Sequence, residues 1–171
     1  MEINTFERKY GIGEFRKHER LLAREDISGL FINTSFIEDG NVLTAIYRFD
    51  GYLKASECRF KSQLQILNLV EKVLELIRHA SDFYISSDRI EISVDTIFYR
   101  PSDEDVRMAF IPSLGNSFRD ELIDFCNDMK IRFTNGDTSG IDMLICYLYE
   151  QPITFDSIAM EIHRIKTEII F

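Results

Sequence analysis

The sequence has no run of roughly 18 apolar residues, the length a helix needs to cross a bilayer, so no segment is expected to span a membrane. Nor does a basic stretch followed by an apolar one stand behind Met1-Glu2-Ile3-Asn4, so no secretory leader is expected. Cysteine is scarce. Cys58, Cys126 and Cys146 are odd in number, far apart and without a Cys-x-x-Cys spacing. Cys126 and Cys146 lie among apolar neighbours, and the three are expected to be reduced thiols of a cytoplasmic protein, those two in its core. His18, His79 and His163 are isolated, with neither a His-x-x-x-His nor a His–Cys spacing, which removes the usual zinc ligand sets. They are expected at surface or cap positions, His79 suiting the negative end of a helix dipole. Basic charge is in deficit: 20 Lys and Arg stand against 29 Asp and Glu, for a net charge of −9. Such a surface repels phosphates, so nucleic acid and anionic membranes are disfavoured as partners; it favours solubility, and a basic protein patch as partner.

Against these gaps stands the balance of an ordinary globular protein, with 171 residues, 45% apolar and 29% charged. That suffices for one domain, or one domain with two small lobes, around a real core. Residues 1–26 are polar and hold the cluster Arg16-Lys17-His18-Glu19-Arg20; strand-like pieces with loops are expected there. Ile27–Ile37 and Val42–Phe49 are β-prone runs separated by Glu38-Asp39-Gly40-Asn41, and Asp-Gly supplies the positive φ of a tight antiparallel hairpin. Asp50-Gly51 turns the chain out of it. Ser62 with Gln65 is a capping-box pattern, and the spacing of Leu64, Leu67, Val70, Leu74 and Ile77 predicts a helix to about His79. Leu69, Val73 and Leu76 widen its apolar stripe, so more than one side is expected to be buried. Phe83–Ile85, Ile90–Val94, Thr96–Tyr99 and Val106–Ile111 follow as short β-prone runs divided by turns. Asp103-Glu104-Asp105 lacks the spacing of a calcium loop and reads as a solvated turn.

The rest is helical. Ser117 caps a helix presenting Phe118, Leu122, Phe125 and Met129, and Asn135-Gly136-Asp137 breaks it. Ile141, Leu144, Ile145 and Leu148 mark a second helix, stopped near Gln151-Pro152. Thr154 and Asp156 open a third with Phe155, Ile158, Ile162 and Ile165 inward, and its apolar ending, Ile169-Ile170-Phe171, carries no stop signal. Strands and helices are segregated rather than alternating, which predicts an α+β fold and not a doubly wound sheet.

Three stretches then carry a resemblance: Tyr47-Arg-Phe-Asp-Gly51 closing the hairpin, Ile92-Ser-Val-Asp-Thr-Ile-Phe-Tyr99, and Val106-Arg-Met-Ala-Phe-Ile-Pro112. Their order resembles an uncharacterised family of domains at the N-terminus of bacterial proteins that carry a forkhead-associated (FHA) domain further on. That family is similar in turn to the cytosolic kinase-like domain of the EssB/YukC proteins of type VII secretion. The sequence departs from its pattern at Val94-Asp95-Thr96, where the family has Pro-Glu-Tyr, and in the next turn, where acidic residues replace a Gly.

The resemblance implies a degenerate protein-kinase-like (pseudokinase) fold, with a β-rich lobe over about residues 1–55 and a mainly helical lobe over about 56–171 that holds a β-cluster at 83–111. The two would join near Gly51–Cys58. Kinase chemistry needs a Gly-rich loop, a lysine for the phosphates, a catalytic Asp and Asn, and a metal-binding Asp. Gly11-Ile12-Gly13 begins such a loop, but Arg16 stands where its third Gly would be. No lysine lies between Lys17 and Lys54. By the resemblance the catalytic Asp position falls on Glu91, read from its alternating neighbours as an exposed strand carboxylate. The Asn position falls on Thr96 and the metal-binding Asp position on Phe110, which offers Mg²⁺ no oxygen. The expectation is therefore a non-enzyme without cofactor or metal: a cytoplasmic module that binds a protein not specified by the sequence, in a signalling or secretion-linked protein whose full length could be membrane-tethered. Two alternatives stand beside it, a small domain with residual ATP binding and an acidic adaptor or secretion chaperone that forms a homodimer.

Overall fold

The structure, a computed structural model, describes residues 3–24, 28–133 and 136–171. It opens with strand β1 (Thr5–Gly11), a short 3-10 turn at Ile12–Glu14 and helix α1 (Lys17–Arg24). Strands β2 (Asn33–Asp39) and β3 (Val42–Arg48) form the expected hairpin. Its two-residue loop begins at Gly40, whose φ of 60° is the left-handed conformation the tight turn requires. β1 pairs antiparallel with β3 on its other side, giving a sheet of order β1-β3-β2. A second sheet, β4-β5-β6, is built from β4 (Leu53–Lys54), β5 (Ile97–Arg100) and β6 (Asp105–Met108). Between β4 and β5 runs helix α2 (Gln63–Ser81), and after β6 come α3 (Phe118–Arg132), α4 (Ser139–Glu150) and α5 (Phe155–Ile170).

Three of the five helices start at the caps their sequences signal, and four bury the stripes their spacing predicts. Ser62, Ser117 and Thr154 each accept the amide of the residue three further on, at 3.3, 3.1 and 3.0 Å, satisfying a donor that the first turn leaves open. α2 buries Ile66, Leu67, Leu69, Val70, Val73, Leu74 and Ile77 and so occupies the centre of the main core, with α4 and α5 packed on it. Arg78 and His79 lie in its last turn, where positive charge is favoured. α4 and α5 bury the Ile and Leu stripes that their spacing predicts.

Several expectations are corrected. Lys17–Arg24, expected as strand-like pieces and loop, is a helix; it buries Glu19 and Ala23 at a spacing of four, so its periodicity is helical with a carboxylate on the inner face. The first hairpin strand starts only at Asn33. The amide of Ile32 bonds to the carbonyl of Met108, and the amide of Met108 to the carbonyl of Leu30, both at 2.9 Å, so Leu30–Ile32 leans on β6 before the chain enters the first sheet. Ile27 and Asn135 lie outside the described residues. Phe83–Ile85 forms a turn, with Tyr84 at φ 62°, and Ile90–Val94 makes one isolated bridge, Ile90 with Pro112. The β-cluster is thus only β5 and β6 with the unforeseen β4. Cys146 is exposed rather than in the core, because the helix phase that buries Leu144 and Leu148 turns it outward, whereas Cys126 is fully buried. No helix among the described residues is long and apolar enough to cross a membrane.

Candidate functional site

The loop between α2 and β5 lies against the inner face of the first sheet, and the three residues singled out by resemblance all belong to this junction. Inward rows of the sheet come from the register Phe6–Tyr47–Thr34, Arg8–Ala45–Phe36 and Tyr10–Leu43–Glu38. Lys9, the only lysine of these three strands, belongs to the outward row.

Phe110 is fully buried, its ring centroid 5.5 Å from that of Phe15 and 5.2 Å from that of Phe31. Its carbonyl accepts the hydroxyl of Tyr47 at 2.7 Å. Tyr47 has one proton and gives it to that carbonyl, so the 2.9 Å contact between the two tyrosine oxygens is donated by Tyr10. Burial, and then the bond to Tyr10, push the Tyr47 phenol well above its ordinary range, so it stays neutral. Phe6 stacks on Tyr47 at 4.6 Å and extends the aromatic layer towards Phe98, itself fully buried.

Thr96 is also fully buried. Its hydroxyl accepts the amide of Ser93 at 2.8 Å and lies 3.1 Å from the carbonyl of Glu91, to which it donates, while its own carbonyl accepts the amide of Ala109 at 2.8 Å. The Thr96 side chain therefore closes the Glu91–Thr96 loop, and its backbone carbonyl pins that loop to the end of β6. Glu91 is not in a strand ladder. Its amide bonds to the carbonyl of Ile111 at 2.8 Å, and its half-buried carboxylate meets Arg8 of β1 at 3.2 Å.

Two further carboxylates hold this junction, and the linear sequence did not single out either. Glu19 of α1 is 1% exposed and accepts Arg89 in a two-pronged pair, Nε to Oε1 at 2.8 Å and a terminal nitrogen to Oε2 at 2.9 Å, with the Arg16 amide at 2.8 Å. Burial alone would raise its pKa; the Arg89 and Arg16 bonds outweigh this and hold it below the ordinary value. Glu121 of α3 accepts the amide of Ile92 at 3.1 Å and the hydroxyl of Ser113 at 2.9 Å. Here burial, helped by the charges of Glu91 and Asp88, outweighs those bonds and pushes the pKa up. A signal for Glu19 existed in the helical spacing of Glu19, Leu22 and Ala23; Glu121 shares a face with Phe118 and Phe125, which is the only hint of its burial.

The remaining candidates fall away from this junction. Gly11 ends β1 and precedes the 3-10 turn, and Gly13 is the middle residue of that turn. Asp103 pairs with Arg100 at 2.8 Å, which draws its carboxyl down to about 2, and Asp105 accepts Tyr52 at 2.5 Å and Arg107 at 2.9 Å, so the acidic turn is an ion-paired corner rather than a freely solvated one. Among the described residues no group of three or more His, Cys, Asp or Glu is placed to hold a metal ion. Burial pushes the thiols of Cys126 and Cys58 up to about 12 and about 11, with the Glu57 charge adding to the latter, so neither is poised as a nucleophile.

Solved structures share this fold. The chain matches a divergent kinase lacking the glycine-rich loop, which regulates membrane ultrastructure of the Toxoplasma parasitophorous vacuole, with a TM-score of 0.60 and 12% identity over 95% of this chain and 72% of that one. It also matches the cytoplasmic fragment of Staphylococcus aureus EssB, with a TM-score of 0.54 and 13% identity over 96% of this chain and 97% of that one. The fold is kinase-like. No family model matches the sequence, and no curated protein matches it.

Proposed function

We propose that this chain is a non-catalytic, kinase-like module that works by binding another protein, as the N-terminal part of a bacterial signalling protein linked to an FHA domain or of a secretion-linked protein. The observation that carries the reading is Phe110. Phosphoryl transfer is positioning and electrostatics around Mg²⁺ and phosphate, and Mg²⁺ takes oxygen ligands. Where the resemblance aligns the metal-binding carboxylate, this chain puts a fully buried ring whose backbone carbonyl is bonded to Tyr47.

The surrounding groups support the same reading. Thr96 commits its one side-chain oxygen to Ser93 and Glu91 within its own loop. Glu91 is engaged by Arg8. In kinases the helix glutamate holds a phosphate-anchoring lysine; here the α1 carboxylate, Glu19, holds Arg89, which precedes the loop itself. The residues present do not fit a Mg²⁺–nucleotide.

Thermal unfolding with increasing ATP and Mg²⁺ tests this. A ligand at 100 times its Kd that binds only the native state stabilises it by about 2.7 kcal/mol. No concentration-dependent rise in Tm is expected, and a saturable rise would return the residual-nucleotide reading.

A further inference from the structure

The outward side of α1 carries a short row that is both basic and apolar. Lys17, Arg20, Leu21 and Arg24 lie within about one third of the helix circumference, opposite the buried Glu19 and Ala23. Facing them, Phe36 and Glu38 of β2 complete a groove of about 370 Å³. Leu21 is 57% exposed, and Phe36 is half-buried against the core. Arg20 is ion-paired with Glu38. Lys17 and Arg24 have no ion-pair partner among the described residues.

This concentration of positive charge runs against the rest of the chain. Residues 16–24 hold four of the 20 basic side chains and one acidic one, Glu19, whose carboxylate is turned inward to Arg89. On a chain of net charge −9 the groove, lined by Lys17, Arg20 and Arg24 against the one carboxylate of Glu38, is therefore a local site of opposite sign. Lys17 and Arg24, two helical turns apart with the Glu38-paired Arg20 between them, match carboxylates spaced along one helix face, and the apolar contact beside them gives a side chain something to dock on.

We propose that this groove binds an acidic segment of a partner protein, with one aromatic or large aliphatic side chain seated on Leu21 and Phe36 and carboxylates beside Lys17, Arg20 and Arg24. The proposal rests on the protein-binding reading above and gives it a place. A bilayer is a poorer occupant. Interfacial helices lay a broad apolar face into the lipid, whereas α1 turns Leu22 and Ala23 to the core and leaves Leu21 alone, in a concave surface. A long nucleic acid would gain three cations and meet the net acidity of the whole chain.

The test is an amide-resolved NMR titration of the full chain with a synthetic acidic helical peptide carrying one Phe and Glu residues one turn apart. Saturable shifts are expected over Lys17–Arg24 and Phe36–Glu38, weakening as salt is added. In the double variant Lys17→Glu/Arg24→Glu, affinity is expected to fall about tenfold or more. Leu21→Ser should weaken binding without altering its salt dependence. Both variants lie on the surface, and an unchanged Tm confirms that they fold.

An absence of saturable shifts, or affinity unchanged in the double variant, overturns the proposal. So does co-sedimentation with phosphatidylserine vesicles in place of peptide binding, which would assign the groove to lipid. Peptide binding at another surface overturns the groove and leaves the protein-binding reading standing, whereas saturable Mg²⁺–ATP binding overturns that reading alone.

Discussion

α1 has two sides that use charge in opposite ways. Its inner side buries a carboxylate and satisfies it completely: Glu19 takes both prongs of Arg89 and the Arg16 amide, beside an aromatic layer built on Tyr47 and Phe110. Its outer side leaves cations in water around an exposed leucine, two of them without an ion-pair partner among the described residues. A desolvated charge with all its bonds made fixes geometry, because removing either partner strands the other. Exposed charges cost little to change and act mainly on what approaches them. The junction of Glu91, Thr96 and Phe110, to which the resemblance assigns kinase chemistry, belongs to the first kind, and the α1 groove to the second.

Substitutions can break that contrast, beginning with the most severe. Phe110→Asp removes the ring contacts with Phe15 and Phe31 and buries a carboxylate in their place. A loss of about 4 kcal/mol or more is expected in urea unfolding, without any gain of Mg²⁺–ATP binding. Glu19→Ala leaves the partly exposed Arg89 with only the Glu14 carbonyl and should cost about 2 kcal/mol; Arg89→Met in the same chain should restore part of it, since removing both charges is cheaper than removing one. Tyr47→Phe keeps the packing but orphans the Phe110 carbonyl and the Tyr10 hydroxyl, for a loss of about 1–2 kcal/mol. Replacing Lys17 and Arg24 by Ala should leave stability within about 0.5 kcal/mol of the native chain.

The two buried carboxylates sharpen the comparison through pH. Glu19 is held below the ordinary value of 4.5, so its contribution is complete above that pH and is lost as the pH falls through its lower native value. Glu121 is raised above 4.5, so its contribution is present below that pH and is lost as the pH rises through its higher native value. The stability gap between the native chain and Glu19→Gln should therefore narrow in acid. Relative to Glu121→Gln, the native chain should lose ground as the pH rises. Unfolding curves at stepped pH check both signs.

Much of the fold was legible because it is locally signalled. Asp39-Gly40 fixes the hairpin, and Ser62, Ser117 and Thr154 announce helices whose Ile, Leu and Phe stripes then point inward. α1 was hidden because its inner stripe contains Glu19, a residue type that reads as surface. Ile90–Val94 reads as a strand because apolar alternation does not reveal where amides are satisfied: those of Glu91 and Ile92 go to Ile111 and Glu121, not to a ladder. At the site, Glu91, Thr96 and Phe110 could be picked out along the chain by resemblance. What holds them could not, since the Tyr47–Phe110 bond spans 63 positions and the Arg89–Glu19 pair 70.

The central claim is that the kinase-like junction is closed by its own side chains and holds no nucleotide. An amide-resolved titration of the native chain with Mg²⁺–ATP tests it directly. The account predicts no saturable shift at Glu91–Ile97 or Ala109–Ile111; saturable shifts confined to those two stretches would contradict it.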